Sequence, residues 1–486
     1  MATIIKSSEE VRPNTSGRGS EPSEGVLEQA HRMALAYLAK LDASSVAATA
    51  DLETLRAKLA RPLGEQGMGA EQVLADLAAD VEGGIIGSAG GRFFGWVIGG
   101  SVPAALAADW LTSAWDQNAG LYATAPAAAV VEEVAGGWLK EILGLPQAAS
   151  FALVTGCQMA HATSLAAARH WVLAQQGWDV EEKGLSGAAE IRVVASDQKH
   201  GSVMRALRLL GIGRAQVVDV RTDALNHVEP EALEEELERG AGAPTIVVLQ
   251  AGDIHTGVCD EFETLVPMAK RHGAWVHVDG AFGLWAAASE KYRSMVRGVE
   301  KADSWATDGH KWLNVPYDSG YAFVAHAEAH RAAMSYRASY LTYDGEARDA
   351  MEWNPEFSRR ARGFATYAAL RSLGRAGVRD LVERCCAHAR RLGERIGALP
   401  GAELLCEPTL NQALVRFPDP RPDATEADHA QRTDATIAAI NATGEAFFTG
   451  STWKGRRVMR ISVSNWRTSE ADVERVVRAV ERACSR

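Results

Sequence analysis

Short apolar runs alternate with longer amphipathic stretches through the middle of the chain, and this alternation limits its fold more than any other feature. The runs are IRVVAS at 191–196, QVVDV at 216–220, TIVVLQ at 245–250, WVHVD at 275–279, DSWAT at 303–307 and YAFVAH at 321–326. Runs of this kind, joined by helical stretches, are typical of parallel strands that are buried on both faces. The pattern therefore predicts an α/β protein with a mainly parallel sheet. Ligands of such sheets bind beyond the carboxyl ends of the strands, so the residues after each run are candidates for chemistry.

The regions on either side of these runs have other patterns. From Val26 to about Ala79 apolar residues recur at helical spacing, and Asp51 is well placed to cap a helix. Beyond about Ala365 a long amphipathic helix is followed by the strand-like pieces ALVRFP and VMRISVS and by a final helix from Ser469. The domains we predict are a loose tail (1–25), a helical segment (26–102), a large α/β domain (103–365) and a smaller C-terminal α+β domain (366–486).

Composition and charge exclude several classes of protein. The 486 residues contain 51 Lys and Arg against 62 Asp and Glu, a net charge of -11 that argues against general nucleic acid binding. The uncharged stretch 93–108 is shorter than the roughly 20 residues needed to cross a bilayer, and the polar N-terminus has no apolar core for a signal peptide. We therefore expect no membrane span. The six cysteines show no CxxC pair and no ligand-like spacing, which predicts neither a disulfide framework nor a zinc site and favours a reducing cytoplasm.

The first candidate for chemistry is the turn Thr155-Gly156-Cys157-Gln158, between the apolar run FALV and the helical run MAHATSLAAARHWVL. A strand, a tight turn and a helix start bring free backbone N–H groups and the positive end of the helix to one place, which suits a phosphate. An ordinary strand-to-helix turn has the same pattern, so the turn alone does not decide.

Three further polar residues follow strand-like runs. Asp279 ends WVHVD, where a buried carboxylate needs a cation such as a protonated pyridine nitrogen, although a helix cap or an ion pair would also satisfy it. Lys311 follows DSWAT, and an amine in a partly apolar enclosure loses its proton more easily and can form an imine with an aldehyde. His200 follows IRVVAS and could stack on an aromatic ring and pass protons, or it could simply begin a helix. Their joint order, each after a separate strand, favours a common site.

The sequence resembles the group II pyridoxal phosphate decarboxylases, the family of aromatic amino acid and glutamate decarboxylases, within the larger aspartate aminotransferase fold (fold type I). The stretches that carry the resemblance are RFFGWVIGGSVPAALAADWL, SDQKHGSV, AGDIHTG, HVDGAFG, DSWATDGHKW, SRRARGF and MRISVSNWRT. The resemblance implies a large domain with a mainly parallel seven-stranded sheet, pyridoxal 5'-phosphate as the cofactor, a small amino acid as the substrate, and an obligate homodimer with shared active sites.

Carried over residue by residue, the resemblance implies specific roles. Lys311 would hold the cofactor as a Schiff base, and Asp279 would pair with the pyridine nitrogen. His200 would stack on one face of the ring and Ala281 would lie against the other. The remaining cofactor contacts that it implies are the backbone of Gly156, Cys157 and Gln158, the side chains of Asp308 and His310, and Ser358 from the neighbouring subunit.

The resemblance also implies a proton donor and a substrate pocket. Tyr340 matches a tyrosine that would protonate the carbanion after carbon dioxide leaves, although Tyr336 and Tyr343 compete with it and a surface turn would also explain it. The positions that match the wall of the side-chain pocket are Phe94, Trp96, Val97 and Ile98. Such a wall suits an aromatic or apolar amino acid, but aromatic residues in a glycine-rich loop are equally often core residues.

Some positions depart from the family pattern. Asp308 stands where many relatives have an asparagine that reaches toward the phosphate, and Asp253 replaces a residue that is commonly threonine. A carboxylate that faces a phosphate dianion is repelled unless it turns away, is bridged by a cation or is protonated. These departures leave the cofactor assignment in place and open the question of the substrate.

The function that we predict from the sequence is decarboxylation of an L-amino acid to its amine, with an aromatic or apolar substrate favoured. Other pyridoxal phosphate reactions on the same scaffold are the alternative: oxidative deamination to an aldehyde, carbon-carbon lyase chemistry or transamination. A catalytically inactive dimeric scaffold is a third possibility, against which the presence of Lys311, Asp279 and His200 together counts.

Overall fold

A computed structural model of the protein describes residues 23–336 and 347–484. The chain divides into two compact units, Met1–Ile86 and Gly87–Arg486. No helix within the described ranges is long and apolar enough to cross a membrane.

The first unit is helical, as predicted. Its helices are α1 (Ser23–Lys40), α2 (Leu52–Leu59) and α3 (Ala70–Asp80). Asp51 caps α2 because its side chain accepts a hydrogen bond of 2.8 Å from the backbone N of Thr54, which satisfies one of the free N–H groups of the first turn. The helix spacing and the cap position in the sequence are therefore both confirmed.

The second unit contains two sheets and the remaining helices. The helices are α4 (Pro103–Trp115), α5 (Pro126–Ile142), α6 (Cys157–Ala174), α7 (Val180–Lys183), α8 (Gly201–Leu209), α9 (Pro230–Arg239), α10 (Phe262–Arg271), α11 (Ala327–Met334), α12 (Gly363–Gly397), α13 (Glu426–Ala442) and α14 (Glu470–Cys484). The strands are β1 (Ser150–Val154), β2 (Arg192–Ser196), β3 (Val217–Val220), β4 (Thr245–Gln250), β5 (Trp275–Asp279), β6 (Ser304–Asp308), β7 (Gly320–Val324), β8 (Glu403–Leu404), β9 (Gln412–Arg416), β10 (Thr449–Trp453) and β11 (Arg456–Ser462).

The larger sheet has seven strands in the order β1-β7-β6-β5-β4-β2-β3. Strand β7 runs antiparallel to both of its neighbours, and all other pairs are parallel. Strands β4 to β7 are buried at every residue, which explains why their sequences are almost continuously apolar. The predicted α/β class with a mainly parallel seven-stranded sheet is confirmed.

The smaller sheet is antiparallel and has the order β10-β11-β9-β8. Helix α12 packs against β9 and is interrupted at Gly374, whose φ of 59° lies outside the helical region. The two strand-like pieces that follow Ala365 in the sequence are β9 and β11, and the final predicted helix is α14.

Candidate active site

The turn between β1 and α6 forms one wall of the site. Helix α6 begins at Cys157, with Gly156 as its N-cap. The backbone N of Cys157 donates a hydrogen bond of 2.5 Å to Oδ1 of Asp308. The turn also lies tightly against β7, because a Cβ on Gly320 would be 2.4 Å from the Cα of Gly156. The helix start therefore already attracts an anionic oxygen, as expected where free N–H groups and the positive helix end coincide.

Asp308 joins this turn to Lys311. Its Oδ2 lies 3.0 Å from Nζ of Lys311, and its Oδ1 lies 3.4 Å from Nε2 of His310. Burial alone would lower the pKa of Lys311, but the charge of Asp308 and their hydrogen bond raise it above its ordinary value. The expectation that enclosure would make this amine lose its proton more easily is wrong for the protein without its cofactor, because the paired carboxylate outweighs desolvation. Asp308 thus has a cation, Lys311, beside it.

Asp279 is a buried anion at the carboxyl end of β5. The backbone N of Ala281 donates 3.1 Å to its Oδ1, and Nε2 of His161 lies 3.5 Å from its Oδ2. Burial alone would raise the pKa of Asp279, but His161, His200 and Lys311 hold it well below the usual range. The carboxylate therefore stays ionised although it is almost inaccessible to water, and a cation beside it is favoured.

His200 lies at the same edge of the sheet, directly before α8. Its Nδ1 accepts a hydrogen bond of 3.2 Å from the backbone N of Ser202, so it is the N-cap of the helix. Because Nδ1 is an acceptor, the neutral ring carries its proton on Nε2. Burial lowers the pKa of His200, so the ring is neutral at pH 7. His200 therefore begins a helix and also lies at the carboxyl edge of the sheet.

These groups fit pyridoxal phosphate, which consists of an aldehyde, a pyridine ring and a phosphate. Lys311 offers a primary amine, Asp279 offers a buried anion for a ring cation, and the α6 turn offers a helix N-terminus. The sulfur of Cys157 lies 3.9 Å from Oδ1 of Asp279, so this one residue touches both the acid and, through Asp308, the amine. Asp279 and Lys311 therefore belong to a single continuous site.

The segment at 94–100 lies against the lysine loop. The backbone N of Gly99 donates 3.2 Å to the carbonyl of His310, and a Cβ on Gly99 would be 1.8 Å from the carbonyl oxygen of Lys311. Only glycine permits this approach. Trp96 has a φ of 50°, is 51% exposed, and stacks on Phe447 at 5.8 Å between ring centroids.

The other predicted pocket residues differ from Trp96. Phe94 is fully buried and stacks on Phe448 at 5.3 Å, which favours the core interpretation for this ring. Val97 is also buried, and Ile98 is partly exposed. Trp96 and Ile98 are thus the members of the predicted wall that have accessible side chains.

The remaining predicted residues are Ser358 and Tyr340. Ser358 is exposed, and its Oγ accepts a hydrogen bond of 3.4 Å from Nδ2 of Asn118. Tyr340 and its competitor Tyr343 lie outside the described residues, whereas Tyr336 is described and is 70% exposed.

The structure adds residues that the sequence interpretation missed. Asn314 fixes the lysine loop, because its Oδ1 accepts from the backbone N of Gly100 at 2.8 Å and of Trp466 at 3.0 Å. Arg460 is a buried cation whose charge acts on His200, and burial lowers its pKa to about 10. Both residues are polar and lie inside otherwise apolar or strand-like runs, and this was the feature of the sequence that could have identified them.

Comparisons with known proteins agree with this fold and site. The sequence matches the pyridoxal-dependent decarboxylase conserved domain over residues 53–417. It is 26% identical to an aromatic-L-amino-acid decarboxylase of Bacillus atrophaeus over 461 residues, which cover 93% of each chain. It is 29% identical to an acidic amino acid decarboxylase of Bos taurus over 325 residues, which cover 65% of this chain and 61% of the relative.

A solved structure shows the same fold. The structure of Oryza sativa TDC with PLP and tryptamine superposes with a TM-score of 0.90 at 23% identity and covers 96% of this chain and 99% of that one. Fold and site together define a fold type I enzyme that uses pyridoxal phosphate. The chain belongs to the pyridoxal-dependent decarboxylase family, whose members are carboxy-lyases acting on amino acids.

Proposed function

We propose that this enzyme decarboxylates an L-amino acid with an aromatic or apolar side chain and releases the amine and carbon dioxide. The observation that carries the proposal is the joint position of Asp279 and Lys311 at the carboxyl edge of the larger sheet. Asp279 is the last residue of β5, and Lys311 follows β6. Cys157 contacts both Asp279 and the carboxylate that pairs with Lys311. The buried anion supports Asp279 as the partner of the pyridine ring, and the nearby amine supports Lys311 as the partner of the aldehyde.

The residues of the chain have distinct tasks in this proposal. When bound, pyridoxal phosphate supplies a protonated ring that accepts the electron pair left by the departing carboxylate. Asp279, held ionised, keeps the proton on the pyridine nitrogen. Lys311, which Asp308 holds at 3.0 Å, would be the residue that holds the aldehyde of the cofactor. His200, which is neutral, would stack on the ring of the cofactor.

The substrate preference rests on Trp96. Its indole is accessible, stacks on Phe447 and Phe93, and belongs to the segment that contacts the lysine loop through Gly99. An aromatic surface of this kind attracts flat or apolar side chains. Aromatic and acidic amino acid decarboxylases are both among the relatives, so the substrate class is a proposal that requires a direct test.

The test is a screen of amino acids against the cofactor-loaded enzyme. Tryptophan, tyrosine, phenylalanine and leucine are compared with glutamate and aspartate, while carbon dioxide, amine and oxygen uptake are followed. The proposal predicts amine and carbon dioxide from the first group without oxygen uptake, and no turnover by Lys311→Ala. Faster turnover of the acidic pair would contradict the substrate class. Aldehyde with ammonia and peroxide would instead favour oxidative deamination.

The active form in this proposal is a homodimer. Helices α4 and α5 expose large apolar side chains in the single chain: Leu111, Trp115, Val130 and Val134. Exposed apolar side chains of this size favour a partner, and in a homodimer the exposed Ser358 would contact the cofactor of the neighbouring subunit. Leu111→Glu should lower the mass measured by light scattering to that of one chain, whereas Leu209→Glu, at an exposed leucine on α8, should not.

We also propose a reducing cytoplasm as the compartment. All six cysteines are free thiols, and Cys157, Cys259, Cys385 and Cys386 are buried. Burial raises the pKa of Cys259 to about 12, so this thiol is unreactive. Unpaired buried thiols are typical of proteins from reducing compartments.

A further inference from the structure

A line of buried hydrogen-bonding side chains leads to Asp279. It begins at Trp275, whose Nε1 lies 2.9 Å from Oγ of Ser304, and that Oγ lies 2.9 Å from Nδ1 of His277. Nε2 of His277 lies 2.9 Å from Nδ1 of His161. Nε2 of His161 lies 3.5 Å from Oδ2 of Asp279. All five side chains are buried. Polar groups in such a place are expensive unless each has a partner, so the line needs an explanation.

The fold generates this line from simple geometry. Trp275, His277 and Asp279 alternate along β5, so their side chains share one face of the strand. Ser304 is the residue of β6 directly opposite His277 in the parallel register. His161 lies one helical turn after Cys157 on α6, which packs on β5 and β6. Each member is therefore held by a regular element.

The two ends of the line determine the direction of its protons. The indole N–H of Trp275 can only donate, and the ionised carboxylate of Asp279 can only accept. The arrangement that satisfies every group has the hydroxyl of Ser304 donating to Nδ1 of His277, with the proton of each histidine on Nε2. Burial and the neighbouring His161 hold the pKa of His277 well below its ordinary value, so this ring stays neutral.

Other proton arrangements leave groups unsatisfied. With both histidine protons on Nδ1, the lone pair at Nε2 of His161 would face the Asp279 carboxylate. With His161 doubly protonated, His277 would have to donate to Ser304, whose own proton would then have no acceptor among the contacts of the described residues. Cys157 adds to the same end, because its sulfur lies 3.4 Å from Nε2 of His161 and 3.9 Å from Oδ1 of Asp279.

We propose that His161 is a positioning residue, fixed as the Nε2–H tautomer by His277 and Ser304, that keeps Asp279 ionised and oriented toward the pyridine nitrogen of the cofactor. This inference rests on the proposed function, in which Asp279 is the partner of that nitrogen. His161 acts through Asp279 and touches no reacting atom in this account. Trp275 and Ser304 support this role of His161 because they set the direction of the hydrogen bonds.

The first experiment measures the tautomers in the protein without cofactor. Nitrogen-15 NMR of histidine-labelled protein should give His277 as a neutral ring and should show Nε2 as the donor and Nδ1 as the acceptor in both His277 and His161. Ser304→Ala should remove this preference at His277, because the ring loses its orienting donor. A wild-type spectrum with protons on Nδ1, or with a doubly protonated His161, would overturn the proposal.

The second experiment measures cofactor affinity by absorbance and fluorescence titration. His161→Leu should bind pyridoxal phosphate about 10- to 100-fold more weakly, the size of effect expected when a carboxylate loses a hydrogen-bond donor. His161→Gln retains an N–H donor and should recover most of the affinity. Equal affinity of His161→Leu and wild type would overturn the proposal, as would a His161→Gln protein no better than His161→Leu.

A matched control separates this role from general loss of packing. His330 is also fully buried and bonded at both ring nitrogens, to Ser150 Oγ at 2.8 Å and to the carbonyl of Trp353 at 2.9 Å, but it lies on α11 away from Asp279. His330→Gln should lower the thermal midpoint and leave the cofactor affinity unchanged. If wild-type protein itself failed to bind the cofactor, the proposed function would be wrong. The NMR measurement would still show independently whether His277 and His161 have the predicted tautomers.

Discussion

Asp308 holds Lys311 in an ion pair, with 3.0 Å between Oδ2 and Nζ, while its other oxygen accepts from the backbone N of Cys157 at the start of α6. One carboxylate thus occupies the anion site of the helix and keeps the amine protonated. In the proposed function both the phosphate and the aldehyde of the cofactor would use groups that Asp308 engages. We therefore expect loading of the cofactor to rearrange this residue.

Asp308→Asn should bind pyridoxal phosphate about tenfold more tightly, because the substitution removes a like charge from the phosphate site and lets the pKa of Lys311 fall. A fluorescence titration of the two apoproteins measures the effect. Asp303→Asn is the control. Asp303 lies directly before β6, at the end opposite Asp308. Like Asp308 it accepts a hydrogen bond from a backbone N, that of Val276, and pairs with a lysine, Lys270. Weaker binding by Asp308→Asn would instead make Asp308 a ligand of the phosphate.

Asp279→Asn should reduce kcat by about 10² to 10³, the effect expected when one charge-stabilising group is lost from an active site. The amide can still accept from the backbone N of Ala281 but no longer stabilises a positive ring nitrogen. Steady-state kinetics at saturating cofactor measure the loss. Activity within threefold of wild type would exclude Asp279 as the partner of the ring.

The pH profile should have an acid limb with a midpoint below pH 6.5, because burial lowers the pKa of His200 and its neutral form persists to lower pH. As the pH falls through that lowered pKa, His200 becomes an imidazolium and kcat/KM should decrease. His200→Gln should lack this limb. A limb that survives unchanged in the variant would assign it to another group.

Stability should also depend on pH through Asp260. Burial raises the pKa of this carboxyl to about 6, above the value of about 3.9 in an unfolded chain. The folded state therefore binds the proton more tightly, and the stabilisation is full below about pH 4 and is lost as the pH rises to about 6, a change of about 3 kcal/mol. Urea unfolding of wild type and Asp260→Asn should show this difference growing between pH 4 and 7. A constant difference would mean that Asp260 does not titrate in this range.

The sequence predicted the parts of the fold that depend on local pattern. Alternating apolar runs predicted the buried strands, and the bounds of β4 and β5 agree with the predicted 245–250 and 275–279. The antiparallel direction of β7 was not predicted, because an apolar run has no direction. The connection between β6 and β7 contains no helix, and this could have been the signal, since a parallel pair requires a long crossover.

The sequence was less informative about the environment of the site. Lys311, Asp279 and His200 were found because each follows a strand, but the pairing of Lys311 with Asp308 depends on distances that no spacing encodes. His161 was missed because its run has an ordinary helical pattern. His277 was missed because it lies inside an apolar strand, although a histidine at a buried position of a strand is itself a signal of an unusual partner.

Chemical trapping tests most directly whether Lys311 binds the cofactor. Protein loaded with pyridoxal phosphate is reduced with borohydride and digested, and the peptides are searched by mass for the pyridoxyl group. The account predicts the group on Lys311 and none on Lys199, the lysine next to His200, whose amine pairs with Asp219. A pyridoxyl group on Lys199, or none on Lys311, would contradict it.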